Sequence, residues 1–162
     1  MPKGDVEAEG FIDWRKEYFE IMSQNTNDIE IIDPNEYFAL RGDNVALFGA
    51  LCLQIKESNL VVVNAESKLG AGTSMEMVIS KYLNKPVITV LPKESAHRKS
   101  NLTFAGKEIK EWIHPFVESF SDIMVENISE FGDAVISLAE VSVKTMSMID
   151  DSMEYARKLL NK

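Results

Sequence analysis

The chain has 162 residues, 26 of them acidic and 17 basic, for a formal net charge of −9. That length suits a single domain, and the acidic balance argues against nucleic acid or an anionic membrane as a partner. A lone cysteine, Cys52, excludes an internal disulfide, and two histidines, His97 and His114, are too few for a structural zinc cluster. No apolar run reaches the roughly 18 residues of a membrane span. The polar Met1–Gly10 segment does not read as a signal peptide, so a soluble cytoplasmic domain is expected.

The apolar positions Phe11, Trp14, Tyr18, Phe19 and Met22 predict a helix over residues 11–25. Ile29–Ile32 reads as a short strand stopped by Asp33-Pro34, because proline restricts its predecessor and cannot donate to a ladder. Tyr37–Leu40 and Val45–Ile55 read as a helical region broken at Arg41-Gly42-Asp43-Asn44, where the Arg-Gly-Asp triplet is a plain turn. Cys52 falls in the apolar stretch of this region and reads as a small hydrophobe rather than a nucleophile.

Leu60–Val63 is a continuous apolar run of the kind that a strand buried on both faces requires, and Pro86–Leu91 is a second. Between them lie a glycine-containing loop and a helix expected over Thr73–Asn84. Strand, loop, helix and strand in about 30 residues make a βαβ crossover. Residues 92–112 read as a long polar excursion, and His114–Val117 and Ile123–Val125 as extended segments. A helical segment of about 129–161 closes the chain. Within it Met146, Ile149, Met153, Ala156 and Leu160 are spaced 3, 4, 3, 4. Such a seam serves either an amphipathic helix lying on its own sheet or a subunit interface.

Charge is segregated along the chain. Residues 1–40 carry 3 basic and 10 acidic groups, residues 81–110 carry 7 and 2, and residues 111–162 carry 4 and 10. The middle cations are Lys81, Lys85, Lys93, Arg98, Lys99, Lys107 and Lys110. They read as a solvated loop, or as one or two cations meeting a small anion such as phosphate. His97 is a candidate helper of such a site, and His114 a packed turn residue or a pocket wall.

The segment with chemical content is Gly70-Ala71-Gly72-Thr73-Ser74-Met75-Glu76. It leaves a buried strand and opens a helix, where unpaired N–H groups and partial positive charge favour an anion. Glycines let a ligand approach the backbone, and ligands of open parallel sheets sit at the carboxyl ends of the strands. Thr73-x-x-Glu76 also has the spacing of a capping box, with Thr73 as the cap.

Residues 58–91 resemble the signature of the nucleoside 2-deoxyribosyltransferase family, which includes 2'-deoxynucleoside 5'-monophosphate N-glycosidases. The resemblance rests on the hydrophobic strand, Gly72-Thr73-Ser74-Met75-Glu76 and Lys85-Pro86-Val87-Ile88. It extends more weakly to Trp14-Arg15 and Ile32-Asp33-Pro34. It implies one flavodoxin- or Rossmann-like three-layer α/β domain over residues 1–162, with a mainly parallel sheet. It also implies cleavage or transfer at the N-glycosidic bond of a (deoxy)nucleoside or its 5'-monophosphate, with no metal or other cofactor. Glu76 becomes the nucleophile, and Asn59, Gly70, Gly72, Thr73 and Ser74 the substrate-binding residues. A helix N-terminus would favour the ionised carboxylate, and a negative charge stabilises an oxocarbenium-like transition state. The implied partners are a small nucleoside or nucleotide and a second copy of the chain, as a homodimer or higher homo-oligomer.

Two departures stand out. The family's first, glycine-terminated strand has no counterpart before Trp14. The family's aspartate at the start of the buried strand is Asn59 here, which cannot act as an acid or base. Glu66 is the candidate substitute. Gly70-x-Gly72-Thr73-x-x-Glu76 also resembles the motif of nucleotide phosphoribohydrolases, with Ala71 breaking the paired glycines. The reading from a different class is a non-catalytic nucleotide-binding module.

Overall fold

The computed structural model describes residues 14–25, 29–33, 40 and 42–160. The elements in order are α1 (Trp14–Asn25), α2 (Asn44–Glu57), β1 (Val61–Asn64), α3 (Ala71–Tyr82), β2 (Val87–Val90), β3 (Arg98–Phe104), β4 (Lys107–Ile113), α4 (Pro115–Phe120), β5 (Ile123–Val125), a 3-10 turn (Ile128–Glu130), α5 (Phe131–Ser137) and α6 (Ser147–Leu160). The architecture is mixed α/β: a three-stranded sheet ordered β1-β2-β5 and a separate antiparallel pair, β3-β4. Both pairings of the main sheet are parallel, with Val61 opposite Val87 and Ile88 opposite Ile123.

The two apolar runs become the two adjacent strands β1 and β2, as expected for a βαβ unit. Every residue of β2 is buried. Side chains alternate across a strand, so Ile88 and Val90 pack with Tyr18, Met22, Phe131 and Ala134 of α1 and α5. Val87 points the other way, joining Val63, Met77 and Phe120. Helices therefore cover both faces. Thr89, on the α4 side, is the polar residue in this run. Its hydroxyl and that of Ser121 lie 2.7 Å apart, and Ser121 Oγ donates to the Val117 carbonyl.

Several expectations are corrected. Ile29–Asp33 forms no strand. Ile29 and Ile31 pack their side chains against the α1 cluster, and the Asp33 carbonyl accepts from Gln54 Nε2. The polar excursion is the β3-β4 hairpin, turned by Ala105 (φ 49°) and Gly106 (φ 76°). Two consecutive positive φ angles match the right-handed twist of the flanking strands. His114–Val117 is not extended: Pro115 takes the first position of α4, where its fixed φ suits a helix and no N–H is needed. The segments 11–13 and 34–39, and Arg41 of the expected turn, lie outside the described residues. Cys52 is half-buried on α2.

Lys81 departs furthest from expectation. It was read among solvated cations, yet its side chain is fully buried and paired with the equally buried Asp122. Lys81 Nζ also donates to the Lys85 carbonyl at 3.0 Å. Asp122 accepts from Val87 N at 2.7 Å and from Lys144 N at 2.7 Å. Burial pushes the Lys81 pKa down, and Asp122 pulls it back. Removing one partner of such a pair strands a desolvated charge. Asp122→Ala and Lys81→Met should each cost about 3–5 kcal/mol in urea unfolding, and the double variant should cost clearly less than the two together.

Candidate functional site

Gly70 to Glu76 form the amino end of α3, and the crossover places them beyond the carboxyl end of β1. The helix starts two residues earlier than expected. Gly70 is the N-cap (φ −74°, ψ 161°) and brings no side-chain bond. Thr73 is therefore the third helical residue and does not cap, which removes the capping-box reading. Ala71 is the strongest helix former, and the chain before it is pinned because Leu69 N donates to His97 Nε2 at 2.9 Å. The first intrahelical bond runs from Ser74 N to the Gly70 carbonyl, and Ser74 Oγ donates to the same oxygen at 3.1 Å. The N–H groups of Ala71, Gly72 and Thr73 make no hydrogen bond among the described residues. A Cβ on Gly72 would meet nothing within 4 Å, so the protein's own packing does not demand a glycine there.

Glu76 is half-buried, and its carboxylate makes no hydrogen bond or ion pair among the described residues. Burial raises its pKa above the ordinary carboxylate value. This corrects the expectation that the helix N-terminus would favour the anion. Glu76 is the sixth helical residue, and the dipole's influence fades after the first turn. Desolvation wins there.

Asn59 is separated from this group. It is exposed and precedes β1, whereas the loop follows β1. Five residues of extended chain place it about 17 Å from Asn64 along the strand. What does gather at the carboxyl end is Asn64, Glu66 and Tyr18. Asn64 Oδ1 accepts from Glu66 N at 2.9 Å, and Asn64 Nδ2 donates to Glu66 Oε2 at 3.3 Å. Tyr18 is 3% exposed, and its hydroxyl is buried without a well-formed hydrogen bond. Burial and then the neighbouring Glu66 carboxylate push its pKa up. In the sequence Tyr18 showed only as a helix position; nothing local marked its approach to Glu66.

The opposite flank of α3 holds a cavity of about 250 Å3, lined by Leu69, Ser74, Val78, His97, His114 and Phe116 among others. Ser74 and Val78 lie about 200° around the helix from Glu76, so this cavity and the Glu76 carboxylate face different sides. Its aromatic wall is continuous: His114 is 5.6 Å from His97, 5.8 Å from Trp112 and 6.0 Å from Phe116, centroid to centroid. Nδ1 of both histidines is buried without a hydrogen-bond partner among the described residues. His114 is thus a cavity wall as well as the N-cap of α4. His97 is a tether that joins the hairpin to the loop before α3.

The basic stretch is largely neutralised. Besides Lys81, Lys93 and Arg98 meet Glu126 at 3.0 and 3.5 Å, and Lys99 meets Glu94 at 4.0 Å. Lys107 and Lys110 are exposed on β4. No group of three metal-ligating side chains occurs among the described residues, and no helix among them is long and apolar enough to cross a membrane. Comparison with protein-family models, with curated proteins and with solved structures finds no match for this chain.

His97 supplies a pH test. Burial, His114 and Lys68 lower its pKa, in that order. The neutral ring accepts the Leu69 N–H, and protonation removes that acceptor. A depressed folded pKa means that the unfolded chain binds the proton more tightly. The fold therefore keeps its full stability above about pH 6.5 and loses some as pH falls below it. Exchange of the Leu69 amide with deuterium, corrected for intrinsic rate, should accelerate below that pH. In His97→Gln, whose side-chain oxygen can still accept, it should not.

Proposed function

We propose that this protein cleaves or transfers the N-glycosidic bond of a (deoxy)nucleoside or nucleoside 5'-monophosphate, with Glu76 as the nucleophile. The observation that carries the reading is the junction between β1 and α3. A half-buried parallel strand runs into a glycine-bearing loop, the helix that follows leaves three N–H groups open among the described residues, and a carboxylate with no hydrogen bond or ion pair among those residues sits one turn further on. The sequence resemblance to the nucleoside 2-deoxyribosyltransferase family supports it, and with it a flavodoxin- or Rossmann-like arrangement of the layers.

In this reading Gly70, Gly72 and Thr73 hold the phosphate or the sugar hydroxyls at the open helix end, while Ser74, on the far side of α3 from Glu76, braces the Gly70 carbonyl. The Glu76 carboxylate attacks the anomeric carbon. Its oxygen–carbon bond forms as the carbon–nitrogen bond to the base breaks, and the bonding pair leaves with the base. Water or an acceptor base then displaces Glu76, which separates hydrolase from transferase. The departing base needs a proton. Glu66 is the only carboxylate in the loop between β1 and α3, and with Tyr18 beside it this is the candidate donor.

Only ionised Glu76 can attack, so the rate should rise with pH through its raised pKa, placing the acid limb above the ordinary carboxylate range. The full chain should release free base, or exchange it, when incubated with ribo- and deoxynucleosides and their 5'-monophosphates with and without an acceptor base. Glu76→Gln should lower this by at least about 1000-fold, as loss of a covalent nucleophile does. Equal silence of wild type and variant, with nucleotide binding retained, would replace this reading by that of a non-catalytic nucleotide-binding module.

The same variant has a second readout. Folding favours the protonated form of a carboxyl with a raised pKa, so ionisation of Glu76 works against the fold above its ordinary pKa. Glu76→Gln should therefore have the higher Tm at pH 8, and the difference should shrink towards pH 4.

A further inference from the structure

Helix α6 does not lie on its own sheet. None of its residues is buried; Met148 in its first turn and Met146 just before it pack against the core. Its outer half carries Tyr155, Leu159 and Leu160, each more than 60% exposed. The seam of Ile149, Met153 and Ala156 borders an apolar groove of about 280 Å3, walled on the other side by Phe116 and Phe120 of α4. Phe116 is itself 72% exposed. Apolar surface this continuous marks an interaction site.

We propose that this groove is filled by α6 of a second copy, packed antiparallel about a two-fold axis. The inference is independent of the chemistry assigned to Glu76. The helix charges choose both the occupant and its direction. With Ile149, Met153, Ala156 and Leu160 as the seam, Met153 opposes Ala156 of the second copy and Ile149 opposes Leu160 of the second copy. The flanking positions then place Asp150 beside Arg157 of the second copy, and symmetry repeats the contact. A parallel pair would instead set Asp150 against Thr145 and Arg157 against Ser152, with no opposite charges meeting. Lys158 is already engaged with Glu154 at 2.7 Å on the outer face, which leaves Asp150 and Arg157 to flank the seam.

Size points to the same arrangement. Fourteen residues of helix span about 21 Å, and two such helices alone fall short of the roughly 800 Å2 per partner of a stable interface. Phe116 and the α4 wall supply further area only if the second helix sits in the groove. An anionic membrane is a poor alternative occupant, because α6 carries Asp150, Asp151 and Glu154 on a chain of net charge −9.

Sedimentation equilibrium of the full chain at low salt should give twice the monomer mass of 18.2 kDa. Asp150→Arg should weaken association about tenfold or more, and Asp150→Arg with Arg157→Asp should restore it to within about threefold. Met153→Asp, at an exposed position, should give a folded monomer with an unchanged circular dichroism spectrum. A wild-type monomer at about 100 μM overturns the proposal, as does capture of that monomer on phosphatidylserine vesicles. A dimer that ignores the charge exchange overturns the antiparallel pairing.

Discussion

The structure turns on the buried contact between Lys81 and Asp122. Two desolvated charges cost several kcal/mol each, and their attraction offsets that only when the remaining donors and acceptors are also satisfied. Here the neighbours supply those bonds. Asp122 takes N–H groups from Val87 at the start of β2 and from Lys144 beyond α5, and Lys81 gives a further hydrogen bond to the Lys85 carbonyl. Lys144 in turn donates its Nζ to the carbonyls of Glu118 and Ser121. One point thus joins the last turn of α3, the entries to β2 and β5, the end of α4 and the segment leading to α6.

Its location matters as much as its strength. The pair lies at the amino ends of β2 and β5, so the polar atoms that must be matched in the interior are matched at one end of the sheet. The carboxyl ends stay open. Because Lys81 sits in the last turn of α3, anchoring it fixes the height of the whole helix against the sheet. That sets how far Gly70 and the open N–H groups stand beyond β1. The loop before them needs a second tether, and the hydrogen bond from Leu69 to His97 provides it.

The sequence shows the parts of this fold that depend on local pattern. Leu60–Val63 and Pro86–Leu91 read as strands with a helix over residues 73–84 between them, so the crossover was legible, although β1, at the edge of the sheet, is only half-buried where burial on both faces was expected. The hairpin was not. Its turn is Ala105-Gly106, and alanine at φ 49° carries none of the Asn-Gly or Asp-Gly signal that announces such turns. Lys81 was misread because its partner lies 41 residues away, and composition places lysines on the surface. The candidate site divides in the same way. Gly70 to Glu76 are contiguous and stood out. Tyr18 beside Glu66, and His97 on Leu69, are joined only by the fold. The acidity of Glu76 was misjudged because it depended on where α3 begins: two residues of shift moved the carboxyl from the dipole's reach into the range where burial decides.

The same anchor bears on the proposed pairing of two chains. Lys144 is fixed at both its N–H and its Nζ, and Met146 and Met148 follow it into the apolar cluster that contains Met77 of α3 and Phe120 of α4. The first turn of α6 is thereby oriented by groups that also orient α3, while the rest of α6 stands clear of the body. In the proposed dimer a second copy covers that free length. A change in that packing would then reach α3 through Met148 and Met77, and the cavity beside Leu69 and Ser74 through Phe116, which walls both. In the proposed reaction the amino end of α3 would present the chemistry, and its carboxyl end meets the part of the chain through which a second copy would be felt.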